Sequence, residues 1–132
     1  MATDPRFDGA GPDSGYWTAL AAGRLVVARC RACGLAQPAG RLVCAACGAA
    51  PLAQVPASGK GTVYSTTAIR RRAEQGGDYN VAIVELAEGV RLMSRVEGVA
   101  ADQVRIGMAV QARIAGSGDA AVLVFDPLAG DA

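Results

Sequence analysis

The 132-residue chain has no histidine. That absence excludes a Ser-His-Asp or Cys-His nucleophile pair, an HExxH metal site and a Cys/His zinc finger together. Signals for export and for membrane insertion are missing as well. The opening stretch MATDPRFDGAGPDSG carries Asp4, Asp8 and Asp13 and no apolar signal-peptide core. Apolar runs such as 26–28 and 81–84 are far shorter than a bilayer-spanning helix. The expectation is a soluble cytoplasmic protein with no membrane partner, in a reducing compartment that disfavours stable disulfides.

Acid is missing from half the chain. Between Asp13 and Glu74 there is no Asp or Glu, while the same stretch holds Arg24, Arg29, Arg31, Arg41, Lys60, Arg70, Arg71 and Arg72. The net charge of +1 therefore hides a basic front half on an acidic back half. Two readings fit this asymmetry: an anionic ligand or steered partner, or a solvated basic face that also offsets metal-bound thiolates. With 52% hydrophobic and 19% charged residues, the chain can bury a core, and its length allows one domain with a small appendage.

What is present is most specific at the cysteines. Cys30-Arg31-Ala32-Cys33-Gly34 and Cys44-Ala45-Ala46-Cys47-Gly48 form two CxxCG knuckles, with Pro38 and Gly40 in the short spacer. The two intervening residues let both sulfurs of a knuckle face one centre, and the glycine lets backbone N–H groups approach a thiolate. The pattern predicts a zinc ribbon over 24–50 in which Cys30, Cys33, Cys44 and Cys47 hold one structural Zn²⁺. Four protein ligands saturate a tetrahedral ion and leave no position for water, so the metal is a staple and not a Lewis acid. Redox pairs are the competing reading of the thiols, and spacing alone also permits iron.

Around the ribbon the chain divides as follows. Residues 1–13 read as a flexible tail, and Ser14 as the cap of a short helix ended by Gly23, giving a helical segment 14–23. Tyr16, Trp17, Leu20 and Ala21 share one apolar face, which packs either on the chain's own core or on a neighbouring subunit. Residues 51–60, PLAQVPASGK, read as a linker. From 61 to 127 the text is β: 61–71, 81–87 and 90–96 (the last two a hairpin), MAVQARIAG, and AVLVFDP ended by Pro127. Five short strands with turn signals predict a small closed barrel, with 128–132 as a second tail.

An aromatic helix ending in glycine (YWTALAAGRL), two CxxCG knuckles and GKGTVYSTTAIRR, followed by IGMAV and VLVFDP, resemble one family over about 14–128. These are the zinc-ribbon (rubredoxin-like) OB-fold proteins associated with acyl-CoA enzymes, long catalogued as a domain of unknown function. The resemblance implies a mainly β fold with a short N-terminal helix, a zinc ribbon and a five-stranded OB-fold barrel. It also implies a non-catalytic accessory subunit that docks on a thiolase-like partner (thiolase, acyltransferase or retro-aldolase) or a hydratase-like one and flanks an acyl-CoA channel. On that analogy Cys30, Cys33, Cys44 and Cys47 bind zinc, and Tyr16, Trp17 and Leu20 contact the partner. Arg70, Arg71 and Arg72 are candidates to clamp the CoA phosphates, against the reading of a solvated loop. The sequence departs from the family at LAQV (52–55) and at the loosened QPAGR (37–41).

Two other function classes compete with this reading. A single-stranded nucleic-acid module suits both folds but needs stacking aromatics, and 61–126 offer only Tyr64, Tyr79 and Phe125, on a barrel that is acidic past residue 73. Independent catalysis would rest on Glu85, Asp102, Tyr64 and Tyr79, which form no motif. Both are disfavoured.

Overall fold

The computed structural model describes residues 11–128; of the tails expected at 1–13 and 128–132, residues 1–10 and 129–132 lie outside the described residues. Helix α1 spans Ser14–Ala21. Its N-cap position is Asp13, one residue earlier than the sequence suggests, and no side chain caps it. The Asp13 carboxylate instead accepts a hydrogen bond from Trp17 Nε1 at 2.9 Å. The C-terminal end follows expectation. Gly23 takes the left-handed conformation (φ +82), and the N–H groups of Gly23 and Arg24 return to the carbonyls of Leu20 and Ala19. That pair of bonds satisfies two carbonyls the helix would otherwise leave open.

The ribbon is a three-stranded antiparallel sheet of β1 (Val26–Arg29), β2 (Ala36–Gln37) and β3 (Ala53–Pro56), with β1 in the centre. The stretch expected as a linker, 51–60, thus contains a strand. Val26, Val27, Ala28 and Arg29 pair with Pro56, Val55, Gln54 and Ala53. Pro51, Pro56 and Gly59 punctuate that stretch, and they mask a pairing set by β1 far back in the sequence.

The barrel is β4 (Lys60–Ile69), β5 (Tyr79–Leu86), β6 (Arg91–Ser94), β7 (Ala109–Ala115) and β8 (Val122–Pro127), hydrogen-bonded in the order β6-β5-β4-β7-β8. A parallel bridge between Val96 and Phe125 closes it: Phe125 N–H donates to the Arg95 carbonyl, and Glu97 N–H to that of Phe125. Five strands, the β5–β6 hairpin with Gly89 in its turn, and inward Val90, Leu92 and Val96 all match expectation. A bulge at Tyr64 separates the Val63–Val84 pair from the Ser65–Ile83 pair and bends β4, so that it joins β7 only at 60–62.

One hydrophobic core runs through all three parts. Leu20 of α1 and Leu25 and Val27 of the ribbon cluster with Val63, Val84, Val110 and Phe125 of the barrel. Gly61 matters to its packing. A Cβ there would lie 2.6 Å from Val84 Cγ1 and 3.1 Å from the Glu85 carbonyl oxygen. Gly61→Ala is expected to destabilise the protein by about 1–3 kcal/mol, read as a lowered urea midpoint.

Candidate metal centre

Each knuckle is built by the same hydrogen bonds. Gly34 N–H returns to the Cys30 carbonyl at 2.9 Å and Gly48 N–H to the Cys44 carbonyl at 3.0 Å. Cys30 N–H reaches the Leu35 carbonyl, and Cys44 N–H that of Ala49, both at 2.9 Å. Gly34 and Gly48 adopt φ +78 and +77, the left-handed turn that brings the chain back past the sulfurs. Backbone N–H groups then face the first sulfur of each knuckle, with Cys33 N and Ala46 N each at 3.4 Å. The N–H groups of Cys47 and Ala46 lower the pKa of the Cys44 thiol from its ordinary value.

The four sulfurs converge as the spacing predicts. Cys30 Sγ lies 3.5 Å from Cys47 Sγ, Cys33 Sγ lies 3.6 Å from Cys44 Sγ, and all four fall within 4.8 Å of one another. A tetrahedral thiolate site with bonds of about 2.3 Å has sulfur–sulfur edges of roughly 3.8 Å. The donor set therefore fits a metal ion. Cys30 and Cys44 are buried, whereas Cys33 and Cys47 face solvent.

Sequence reasoning missed Gln37. It is 4% exposed, donates from Nε2 to Cys44 Sγ at 3.4 Å, and accepts the Ala45 N–H at 2.9 Å through Oε1. Its only sequence signal was its place in the spacer, within QPAGR.

The other expected site residues divide. Leu20, expected at a partner interface, is 1% exposed and belongs to the chain's own core, because it lies on the inward side of α1. Tyr16 is half-buried against that core, and burial pushes its phenol pKa up. Trp17 remains at the surface, 51% exposed, with its ring edge-on to Tyr16. Arg70 is held by the carboxylates of Asp78 and Asp102, both kept below the usual carboxylate range by its guanidinium. Arg71 donates to the Gly77 carbonyl and lies over the Tyr79 ring at 4.4 Å. Arg72 is exposed and reaches only to 3.9 Å from Glu74.

The acid–base candidates are not gathered into one site. Arg91 lies over Tyr64 at 3.9 Å and pairs with half-exposed Glu85, while Asp102 pairs with Arg70. The same contacts cover one face each of Tyr64 and Tyr79, and Phe125 is fully buried, so the described barrel presents no row of free stacking aromatics. No helix among the described residues is long and apolar enough to cross a membrane.

A DUF35 domain-containing scaffold protein from Methanocaldococcus jannaschii is 32% identical over 108 residues, covering 76% of this chain and 77% of that protein. The chain belongs to the DUF35 family. Within it, residues 54–115 match the family described as ChsH2, C-terminal OB-fold domain. A chain of a solved structure described as an Ltp2-ChsH2(DUF35) aldolase superposes with TM-score 0.77 at 32% identity, over 87% of this chain and 93% of that one. A DUF35 protein of unknown function from Sulfolobus solfataricus shares the fold at TM-score 0.65 and 19% identity. A probable enoyl-CoA hydratase alpha subunit from Thermomonospora curvata is 39% identical over 101 residues, and this chain spans 32% of its length. A ribbon sheet and an OB barrel are both present among the described residues.

Proposed function

We propose that this chain is a non-catalytic accessory subunit of an acyl-CoA-processing complex, docking on a thiolase-like or hydratase-like catalytic partner and helping to form its acyl-CoA channel. The observation that carries this reading is the match over nearly the whole chain to the DUF35 chain of an aldolase assembly. It is supported by the engagement of Glu85, Asp102, Tyr64 and Tyr79, the acid–base candidates of the sequence, with arginines. The docking surface is Trp17 together with the exposed ribbon side chains Leu35, Leu42 and Val43. Arg29, Arg31 and Arg41 lie in the same acid-free stretch. For the acyl-CoA contact, the run 70–72 narrows to Arg72, since Arg70 already has two carboxylates.

The resident metal is zinc, which four thiolates close off and which suits the reducing cytoplasm where we place the protein. Metal analysis of the purified chain distinguishes it from iron, whose four-thiolate site is coloured.

The deciding experiment is co-purification of the tagged full chain from its native host. A thiolase-like or hydratase-like enzyme is expected with it, and its absence would overturn the reading. With that enzyme in hand, Trp17→Ala is expected to weaken the complex by about 2 kcal/mol or more, roughly 30-fold in Kd, without unfolding the chain. Calorimetric titration of CoA into the complex tests the ligand role, and no heat with either the chain or the complex would remove it.

A further inference from the structure

The two knuckles share their turn-closing backbone bonds, Gly34 and Gly48 N–H to the Cys30 and Cys44 carbonyls, and Cys30 and Cys44 N–H to the Leu35 and Ala49 carbonyls. The first sulfur of each accepts a backbone N–H, from Cys33 for Cys30 and from Ala46 for Cys44. Cys44 receives in addition the side-chain amide of Gln37. Gln37 follows Cys30 by seven residues, and the residue seven beyond Cys44 is Pro51, which has no donor to offer Cys30 in return. The ribbon is therefore similar in the turns of its two knuckles and one-sided in the contacts of Gln37.

The position of Gln37 gives the contact its force. It lies on β2, whose backbone is fixed against Ala28 of β1, and the strands of the ribbon sheet leave 38–52 unpaired. Gln37 thus joins the hydrogen-bonded part of the ribbon to the second knuckle at two points, Cys44 Sγ and Ala45 N–H. The orientation of its amide is forced, because a backbone N–H can be met only by the oxygen, and this turns the NH₂ group to the sulfur. An apolar replacement would remove the acceptor of the Ala45 N–H and a donor to the buried Cys44 sulfur.

We infer that Gln37 is a positioning residue for the metal: it holds the second knuckle in register and donates a hydrogen bond to the Cys44 sulfur, so that metal release is slow. The inference rests on the reading of the four-cysteine cluster as a metal site. Groups that hydrogen-bond metal ligands typically change metal affinity about 10–100-fold when removed.

The test uses the full chain and Co²⁺ as a spectroscopic probe. Wild type is expected to show the intense sulfur-to-cobalt charge-transfer bands and tetrahedral visible bands of a four-thiolate site. Gln37→Leu removes both contacts. Gln37→Glu keeps an oxygen for Ala45 N–H, loses the donor to sulfur and places a carboxylate beside the thiolate. Both are expected to shift the charge-transfer band and to speed cobalt loss to a competing chelator by about 10–100-fold. Amide NMR of the barrel confirms that each variant is folded, and Gln37→Glu decides if Gln37→Leu is not. Unchanged bands and release rate in folded Gln37→Glu would overturn the role of Gln37. Failure of wild type to bind cobalt through thiolates would instead overturn the metal reading itself.

Discussion

Stripping the metal from the four-cysteine cluster is expected to release residues 30–50 into a disordered loop while the barrel stays folded. The knuckles bury little apolar surface: Leu35, Leu42 and Val43 are exposed, and among their cysteines only Cys30 and Cys44 are covered. Such a segment cannot offset its conformational entropy by burial, so its order comes from ligation. Four-coordinate structural zinc supplies about 10–16 kcal/mol in small zinc-finger peptides at neutral pH, far more than the hydrogen bonds of two turns. Strands β1 and β3 should stay in place, because Leu25 and Val27 belong to the shared core and Val55 packs against it. Amide hydrogen exchange checks this. With chelator, the N–H groups of Gly34, Cys44 and Gly48 should lose protection while those of Val63, Val84 and Val110 keep it. Undiminished protection at the knuckles would mean that the metal is not what orders them. Cys44→Ser is expected to reproduce much of the effect, since Cys44 is both buried and bonded to Gln37.

Phe125→Ala is expected to be the most damaging single change in the barrel. The ring is fully buried, and its backbone forms the closing bridge to the segment after β6. Truncating a buried Phe costs about 3–5 kcal/mol, from lost transfer energy and the cavity left behind. Against a total stability of about 5–15 kcal/mol this is a large share. At a urea m-value of about 2 kcal/mol/M, the midpoint should fall by roughly 2 M. Met93→Ala is the matched control: Met93 is 72% exposed on β6, and its loss should move the midpoint little.

The barrel strands and the cluster of four cysteines were legible in the sequence because each has a local signature. Alternation at Val90, Leu92, Ser94 and Val96 and the CxxCG spacing both act over a few residues. The features that were hidden are non-local. Strand β3 exists because β1 offers it an edge, and no periodicity inside PLAQVPASGK reports that. Whether Leu20 or Trp17 faced outward depended on which side of α1 the core covered. The arginine run read as free charge because Asp78 and Asp102, which answer Arg70, lie 8 and 32 residues away in sequence. Gln37 was invisible for the same reason, since its partners are on the other knuckle.

The continuity of the core limits how this protein can be cut. Residues 54–115 match a barrel domain, and that span begins inside β3, after β1 has already placed Leu25 and Val27 against the barrel. A fragment starting there would expose the apolar surface that those two side chains and Leu20 cover. Helix, ribbon sheet and barrel are consequently not interchangeable cassettes: a graft that exchanges the knuckles between β1 and β3 keeps Leu25, Val27 and Val55 in place and touches the core only at Ala36, whereas one that exchanges the whole N-terminal half must redesign it. The natural joint of the molecule lies at the cysteines, not at the stretch that looks like a linker.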